Sequence, residues 1–167
     1  MPRRRAELLN EELYWRLRGS ELAERASHAM MVCTVDADGS PRPAMLSYFE
    51  VAAPDRHNLR LAVYNGSRTC ANMRERGKAT LVIVDVGLVC YVSGSVVEIV
   101  PAMRDAPYNA KLNLRIEHVL FDEPSPDLES GSQMTSGMTY GPRAPGALAR
   151  AYAVLAELLE EPGAARR

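Results

Sequence analysis

The sequence predicts a mainly β domain with flanking helices, in the α+β or small-barrel class. Five β-branched, apolar runs follow one another across short turns, which is typical of an antiparallel sheet. Helical patterns stand at the chain ends and in two connections, so the strict strand–helix alternation of a parallel sheet is absent. No G-x-G-x-x-G or Walker sequence indicates a doubly wound nucleotide fold. With 167 residues and 47% hydrophobic content, 1–167 is expected to form a single domain with a substantial core.

The first segment, 1–29, is predicted to hold two N-terminal helices. Leu9, Leu13 and Leu17 recur every fourth residue, as on one face of a helix. Gly19-Ser20 interrupts this run and allows a second short helix to begin.

The middle segment, 30–100, is predicted to be the core of the sheet. Asp36–Gly39 and Val86-Gly87 have turn composition and should close two hairpins, while Gly94 inside the longest run indicates a bulge. The predicted strands are Met30–Val35, Arg42–Val51, Leu59–Tyr64, Ala79–Val86 and Leu88–Val100.

The last third of the chain is predicted to be a helix, a long loop and a second helix. The helix is expected over 101–121, where Ala106, Ala110, Leu114 and Val119 are about one turn apart. The segment 122–146 is rich in Ser, Gly and Pro and allows a short last strand near Gln133–Tyr140. An apolar stripe predicts the closing helix over 147–160.

Composition excludes several classes of protein. Charged residues make up 25% of the chain and the net charge is −1, so no nucleic acid partner is expected. No run reaches about 18 apolar residues, so no membrane segment is expected either. Three cysteines without a CxxC pair indicate neither a disulfide framework nor a zinc site, and predict a reducing, cytoplasmic location.

The stretch "VYNGSRTCANMRERG" at 63–77 predicts a helix start that could bind an anion. Ser67 suits the N-cap and Gly77 the C-terminal end, which leaves the amides of the first turn without helical partners. Arg68 adds a permanent charge, and Ser67 and Thr69 add hydroxyl donors, as a phosphate monoester requires. The same residues also suit an ordinary capped helix with a solvated arginine. Cys70 beside them is expected to be buried rather than reactive.

Side-chain catalysis finds no template in this sequence. His28, His57 and His118 have no metal-ligand spacing, and "VSGSV" is not a nucleophile elbow. No catalytic residue and no metal ligand is therefore assigned. An enzyme of this sequence would depend on a cofactor for its reactive chemistry.

The order of these features resembles the pyridoxamine 5′-phosphate oxidase-like, FMN-binding split-barrel family. A strand, a "DG-x-P" turn, two further strands, an "S-R-[KT]" helix start and a "vtlvivD" strand follow in the family's order. The matching segments are "CTVDADGSPRPAMLSYF" (33–49), "LRLAVYNGSRTCANM" (59–73), "ATLVIVD" (79–85) and "CYVSGSVVEI" (90–99).

The resemblance implies a six-stranded antiparallel split β-barrel that forms a homodimer, with FMN in grooves at the interface. It places the flavin ring against the second strand and the phosphate at the S-R-[KT] corner. The cofactor-binding residues implied in this way are Ala44, Met45, Leu46, Ser47, Ser67, Arg68, Thr69 and Asn72.

The chain departs from true pyridoxamine phosphate oxidases at three places. Thr69 stands where they carry a lysine, and Ala44 where they carry an arginine. Their C-terminal signature with tryptophan and arginine is missing, since the one tryptophan is Trp15. A divergent member with another substrate is therefore expected.

Several functions fit this resemblance. The first is an FMN-dependent oxidoreductase acting on an unknown small molecule, with the 122–146 loop either covering the ring or packing in the dimer. A non-catalytic flavin-binding sensor, carrier or storage module fits equally well. F420 and haem are alternative cofactors on the same barrel; F420 also carries a phosphate, whereas haem would favour a histidine near the groove.

Overall fold

One continuous antiparallel sheet organises the computed structural model, which describes residues 3–125, 127, 131–161 and 163. Within these residues it contains nine strands, six of seven residues or more and three of four or fewer. The long strands are β2 (His28–Val35), β3 (Pro41–Ser47), β5 (Asn58–Tyr64), β6 (Lys78–Asp85), β7 (Leu88–Val100) and β8 (Asn109–Asp122). The short ones are β1 (Arg3–Ala6), β4 (Val51–Ala52) and β9 (Met138–Thr139).

The order of the strands makes the sheet curl into a split barrel. Neighbours follow the order β3-β2-β6-β7-β8-β5-β4, with β1 added to β8 and β9 to β2. Strands β3 and β4 therefore lie at opposite ends of this order, yet a single 3₁₀ turn, Tyr48–Glu50, joins them. Because three residues span only about 10 Å, the two ends of the sheet must lie close together.

Alternation along the strands fills the barrel. The inward side chains of all six long strands form one buried cluster, which includes Val32, Leu61, Ile83, Val92 and Leu112. A second, smaller cluster lies outside the barrel, where helix α4 (Ala147–Leu159) covers β4 and β5. The closing helix predicted over 147–160 is thus present.

The N-terminal segment was predicted to hold two helices, and the structure has them as α1 (Glu11–Leu17) and α2 (Leu22–Arg25). Strand β1 precedes them, and β2 already begins at His28, so 1–29 is not wholly helical. Strand β1 forms only by pairing with distant β8, from Arg3 opposite Asp122 to Ala6 opposite Val119.

The helix predicted over 101–121 is wrong, because most of that range lies in strand β8. Apolar residues alternate with polar ones from Ala110 to Ile116, which is the two-residue period of a strand. A β-bulge in the pairing with β7 then shifts this alternation by one residue near His118, so the buried positions continue at Val119. Because of this shift, the apolar residues Ala110, Leu114 and Val119 have the spacing that is typical of a helix.

Other local predictions are confirmed. Gly94 lies at the bulge, where a Cβ would stand 1.9 Å from the carbonyl oxygen of Arg115. The β6–β7 hairpin turns at Val86-Gly87, and β9 lies in the predicted Gln133–Tyr140 range. The strand predicted over Arg42–Val51 is instead divided by the 3₁₀ turn into β3 and β4.

Candidate functional site

Helix α3 (Arg68–Arg76) begins and ends where the sequence predicts. The Ser67 hydroxyl accepts a hydrogen bond from the Cys70 N–H at 3.0 Å, and Gly77 closes the helix in the left-handed conformation. The same hydroxyl donates to the Tyr64 carbonyl at 2.7 Å. Ser67 therefore holds the corner in shape, and its proton is already committed within the chain.

Asn72 fastens α3 to the hairpin between β2 and β3. Its side-chain amide is 1% exposed and donates to Thr34 Oγ1 at 3.1 Å and to Asp36 Oδ1 at 2.8 Å. Asn72 Oδ1 accepts from the Arg76 guanidinium. The side chain of Asn72, a predicted cofactor-binding residue, is thus engaged in positioning the helix.

Asp36 is the acidic centre of this junction. The Arg42 guanidinium and the Asn72 amide donate to its carboxylate, and Arg68 lies near enough to contribute its charge. Together these groups lower the pKa of Asp36 from 3.8 to about 2. Asp36 therefore holds helix α3 beside the start of strand β3.

The open groups at the start of α3 are fewer than the sequence predicts. Arg68 is exposed, whereas Thr69 is 5% exposed and turns away from solvent. Since the Cys70 amide is capped by Ser67, the amides of Arg68 and Thr69 and the Arg68 guanidinium are the groups of this corner that an anion could contact. Cys70 is fully buried, and burial raises the pKa of its thiol, as expected for a structural cysteine.

Strand β3 offers a free backbone edge to a ligand. It is the last strand on its side of the sheet, and Pro41 and Pro43 have no N–H to donate to β2. The Ser47 amide donates to Glu50 rather than to β2. Because bonded and non-bonded positions alternate along an antiparallel strand, Met45 also directs its amide and carbonyl away from β2. The ring-binding residues of the sequence prediction thus include an unpaired backbone position at Met45.

The four residues of that prediction differ in what they expose. Leu46 and Ser47 are buried, Ala44 is half-buried and Met45 is 42% exposed. Contact with a flavin ring would therefore involve the backbone edge and the Met45 side chain, rather than all four side chains.

A row of apolar side chains crosses the outer face of the sheet from this edge. Strand pairing places Met45 opposite Met31, Met31 opposite Val82, Val82 opposite Tyr91, and Tyr91 opposite Leu120. None of these five side chains belongs to the barrel core, and all are partly or well exposed. We call this set the outer row.

An arginine that the sequence analysis did not single out lies at the end of β3. The Arg143 guanidinium donates from Nη2 to Ser47 Oγ at 3.0 Å and packs on the rings of Phe49 and Tyr140. Its buried Nε has no hydrogen-bond partner among the described residues. Ser47 and Arg143 are 96 residues apart in the chain, and "GPRAPG" has no spacing pattern, so only the general prediction of a functional 122–146 loop pointed here.

The Glu50 carboxylate lies close enough to Arg143 to feel its positive charge. Its Oε2 accepts from the Ser47 N–H at 2.7 Å. Burial raises the pKa of Glu50 above its ordinary value, while hydrogen bonds from Ser47 and the charge of Arg143 act in the opposite direction.

A second polar cluster was also missed, and it fixes the N-terminal helices to the barrel. Asp85 Oδ2 accepts from Arg16 at 2.7 Å and from Arg25 at 2.6 Å, and His28 lies 3.7 Å away. Burial raises the pKa of Asp85, but the Val86 amide and the surrounding positive charges outweigh it and hold the pKa below its ordinary value. These ion pairs join residues 60 and 69 positions apart, which no local pattern reveals.

Two other features are absent from the described residues. They contain no cluster of three histidine, cysteine or acidic side chains arranged to hold a metal ion. None of their helices has both the length and the apolar character needed to cross a bilayer.

Comparison with known proteins places the chain in a family. The family model for pyridoxamine 5′-phosphate oxidase matches residues 20–127. The uncharacterised protein YclD of Bacillus subtilis is 30% identical over 135 residues, which cover 80% of this chain and 84% of YclD.

Two solved structures share the fold. HupZ of Group A Streptococcus has a TM-score of 0.53 at 16% identity, with 80% of this chain and all of HupZ covered. An FMN-binding protein of Syntrophomonas wolfei has a TM-score of 0.50 at 14% identity, with 68% of this chain and 88% of that protein covered. Since the family model spans most of the β core and YclD aligns over most of the chain, this protein belongs to the pyridoxamine 5′-phosphate oxidase-like family of FMN-binding split barrels.

Proposed function

We propose that this protein is a homodimeric, FMN-dependent oxidoreductase that acts on a small molecule. The observation that carries the proposal is that the start of α3, with Arg68 exposed on it, lies beside a free strand edge. The Asn72 and Asp36 hydrogen bonds hold α3 beside the β2–β3 hairpin. One ligand with a phosphate at one end and a planar ring with polar edges at the other could use both.

The residues of the chain would divide the binding of FMN between them. Arg68 and the first amides of α3 would hold the phosphate, because a helix N-terminus and a guanidinium both favour a dianion. The Met45 amide and carbonyl would bond to polar atoms of the ring, and the Met45 side chain would shield one part of it. FMN itself supplies hydride transfer when bound, while the protein orients the ring and excludes water.

The outer row supports the homodimer. Five neighbouring apolar side chains on the face of a sheet are unusual for a surface in contact with water only. A second copy packed on this row would bury it and would form a groove beside β3, where the row begins. The dimer and the cofactor site are therefore proposed together.

Replacing Arg68 tests the phosphate assignment. The variant Arg68→Ala should weaken FMN binding by about 1.5–3 kcal/mol, the usual contribution of a charge-assisted hydrogen bond. FMN titration followed by flavin fluorescence gives the dissociation constant, and Arg150→Ala, an exposed arginine on α4, is the matched control. Equal FMN affinity in Arg68→Ala and the wild type would exclude this assignment.

The cofactor and the catalysis are tested separately. Wild-type protein should show flavin absorption bands as purified or after addition of FMN, and an F420 titration run in parallel would test the alternative cofactor. Reduction by NAD(P)H and reoxidation by an acceptor would then distinguish an enzyme from a flavin carrier.

A further inference from the structure

We propose that Arg143 binds the carboxylate of an anionic substrate at the edge of the flavin ring. The inference rests on the proposed function, because it requires the ring to lie along β3. Arg143 contacts Ser47, the last of the four residues predicted to lie against the ring. The start of α3, with Arg68, is near the other end of β3, where the Asp36 carboxylate accepts hydrogen bonds from Arg42. Arg143 therefore marks the substrate end of the groove rather than the phosphate end.

The guanidinium is fixed before any ligand arrives. Its central carbon lies 4.9 Å from the centre of the Phe49 ring and 5.5 Å from the centre of the Tyr140 ring. A third contact, the hydrogen bond from Nη2 to Ser47 Oγ, fixes the orientation of the guanidinium within its own plane. Such preorganisation lowers the entropy that a bound ligand would otherwise cost.

Its hydrogen-bonding capacity is only partly used. Nε is buried without a partner, and the described part of the chain holds no acidic oxygen within ion-pair distance of Arg143. An arginine has five N–H donors in a planar fork, and one of them is committed to Ser47. Arg143, Ser47 and Tyr140 line an open cavity of about 390 Å³, so a ligand has room to reach the fork.

The local charge favours a singly charged group. Among the described residues, Arg143 is the single cation that lines this cavity, and the partly buried Glu50 carboxylate lies close enough to feel its charge. A dianionic phosphate would be poorly balanced by one guanidinium beside a carboxylate. A carboxylate matches the fork geometry with two parallel hydrogen bonds.

Benzoate is a suitable probe, with the uncharged benzamide as its isosteric control. FMN-loaded protein is titrated with each compound, and binding is followed by calorimetry and by the change in the flavin spectrum. The variants are Arg143→Met, which removes the charge, Arg143→Lys, which keeps the charge without the fork, and Arg150→Met as the matched surface control.

The expected result is a loss of benzoate affinity of about tenfold to a hundredfold in Arg143→Met, as for the loss of a charge-assisted hydrogen bond. FMN affinity should stay unchanged, Arg143→Lys should be intermediate, and Arg150→Met should match the wild type. Benzamide binding should be weak and equal in all four proteins.

The experimental outcomes that contradict this inference can be distinguished from the one that contradicts the proposed function. Normal FMN binding with equal benzoate affinity in the wild type and Arg143→Met, or with no benzoate binding at all, overturns this inference alone. A loss confined to FMN affinity would also overturn it, since Arg143 would then contact the cofactor. Absence of FMN binding by the wild type would overturn the proposed function and this inference with it.

Discussion

Asp36 shows how a single side chain can join helix α3 to strand β3. Its pKa is lowered to about 2 by the hydrogen bond from Arg42 first and by that from Asn72 second. A depressed carboxyl pKa means that the ionised group stabilises the folded state at pH values above the ordinary 3.8, and that this stabilisation is lost as the pH falls towards about 2.

The variant Asp36→Asn should therefore be less stable than the wild type at pH 5, and this difference should shrink between pH 4 and pH 2. Urea unfolding followed by circular dichroism at several pH values measures it. The exposed Asp127 offers a control through Asp127→Asn. A stability difference that stays constant from pH 5 to pH 2 would show that the ionised carboxylate of Asp36 does not contribute.

At the scale of residues, the roles that could be predicted from the sequence are those that depend on neighbours in the chain. Ser67 caps a helix within three residues, so composition alone predicted its place. Arg143 and Asp85 act through partners 60 to 96 positions away, and only the folded chain brings those groups together. Asn72 was predicted to bind the cofactor, but its bonds to Thr34 and Asp36 are likewise long-range.

At the scale of elements, the same distinction separates the strands that were predicted from those that were not. The β6–β7 hairpin was predicted because a tight turn joins two β-branched runs. Strand β8 was missed because its bulge shifts the alternation halfway, and β1 is too short to have a pattern of its own. Both need partners that are distant in sequence.

The β-bulge between β7 and β8 also allows a prediction for the stability of the protein. A Cβ at Gly94 would stand 1.9 Å from the carbonyl oxygen and 2.8 Å from the carbonyl carbon of Arg115, and neither backbone atom can move without separating β7 from β8. Gly94→Ala should therefore lower the free energy of unfolding by about 3 kcal/mol, at the upper end of overpacking effects. Chemical denaturation measures the change.

Gly141→Ala is the matched control, because a Cβ at Gly141 meets no atom within 4 Å and its φ is not positive. Similar unfolding midpoints for the two variants would show that β7 and β8 adjust to the extra methyl group at little cost.

At the scale of the whole molecule, the outer row is the surface on which the proposed homodimer and the proposed cofactor site meet. Its first member, Met45, lies on the free edge of β3, and its middle member, Val82, lies on β6 with its side chain outside the barrel core. A second copy covering Val82 would stand beside the β3 edge. Formation of the dimer and binding of FMN should therefore be lost together if both use this face.

The substitution Val82→Lys places a charge in the centre of the outer row without entering the barrel core. It should convert the proposed dimer to a monomer and weaken FMN binding at least tenfold, because burying an unpaired ammonium in an apolar interface costs several kcal/mol, on the order of 3. Light scattering gives the mass and fluorescence titration the FMN affinity.

Val97→Lys is the control, since Val97 is 63% exposed on β7 and lies outside the row. A folded Val82→Lys protein that remains dimeric would exclude the outer row as the interface. A monomer that retains full FMN affinity would instead confine the cofactor site to one chain, between the β3 edge and the start of α3.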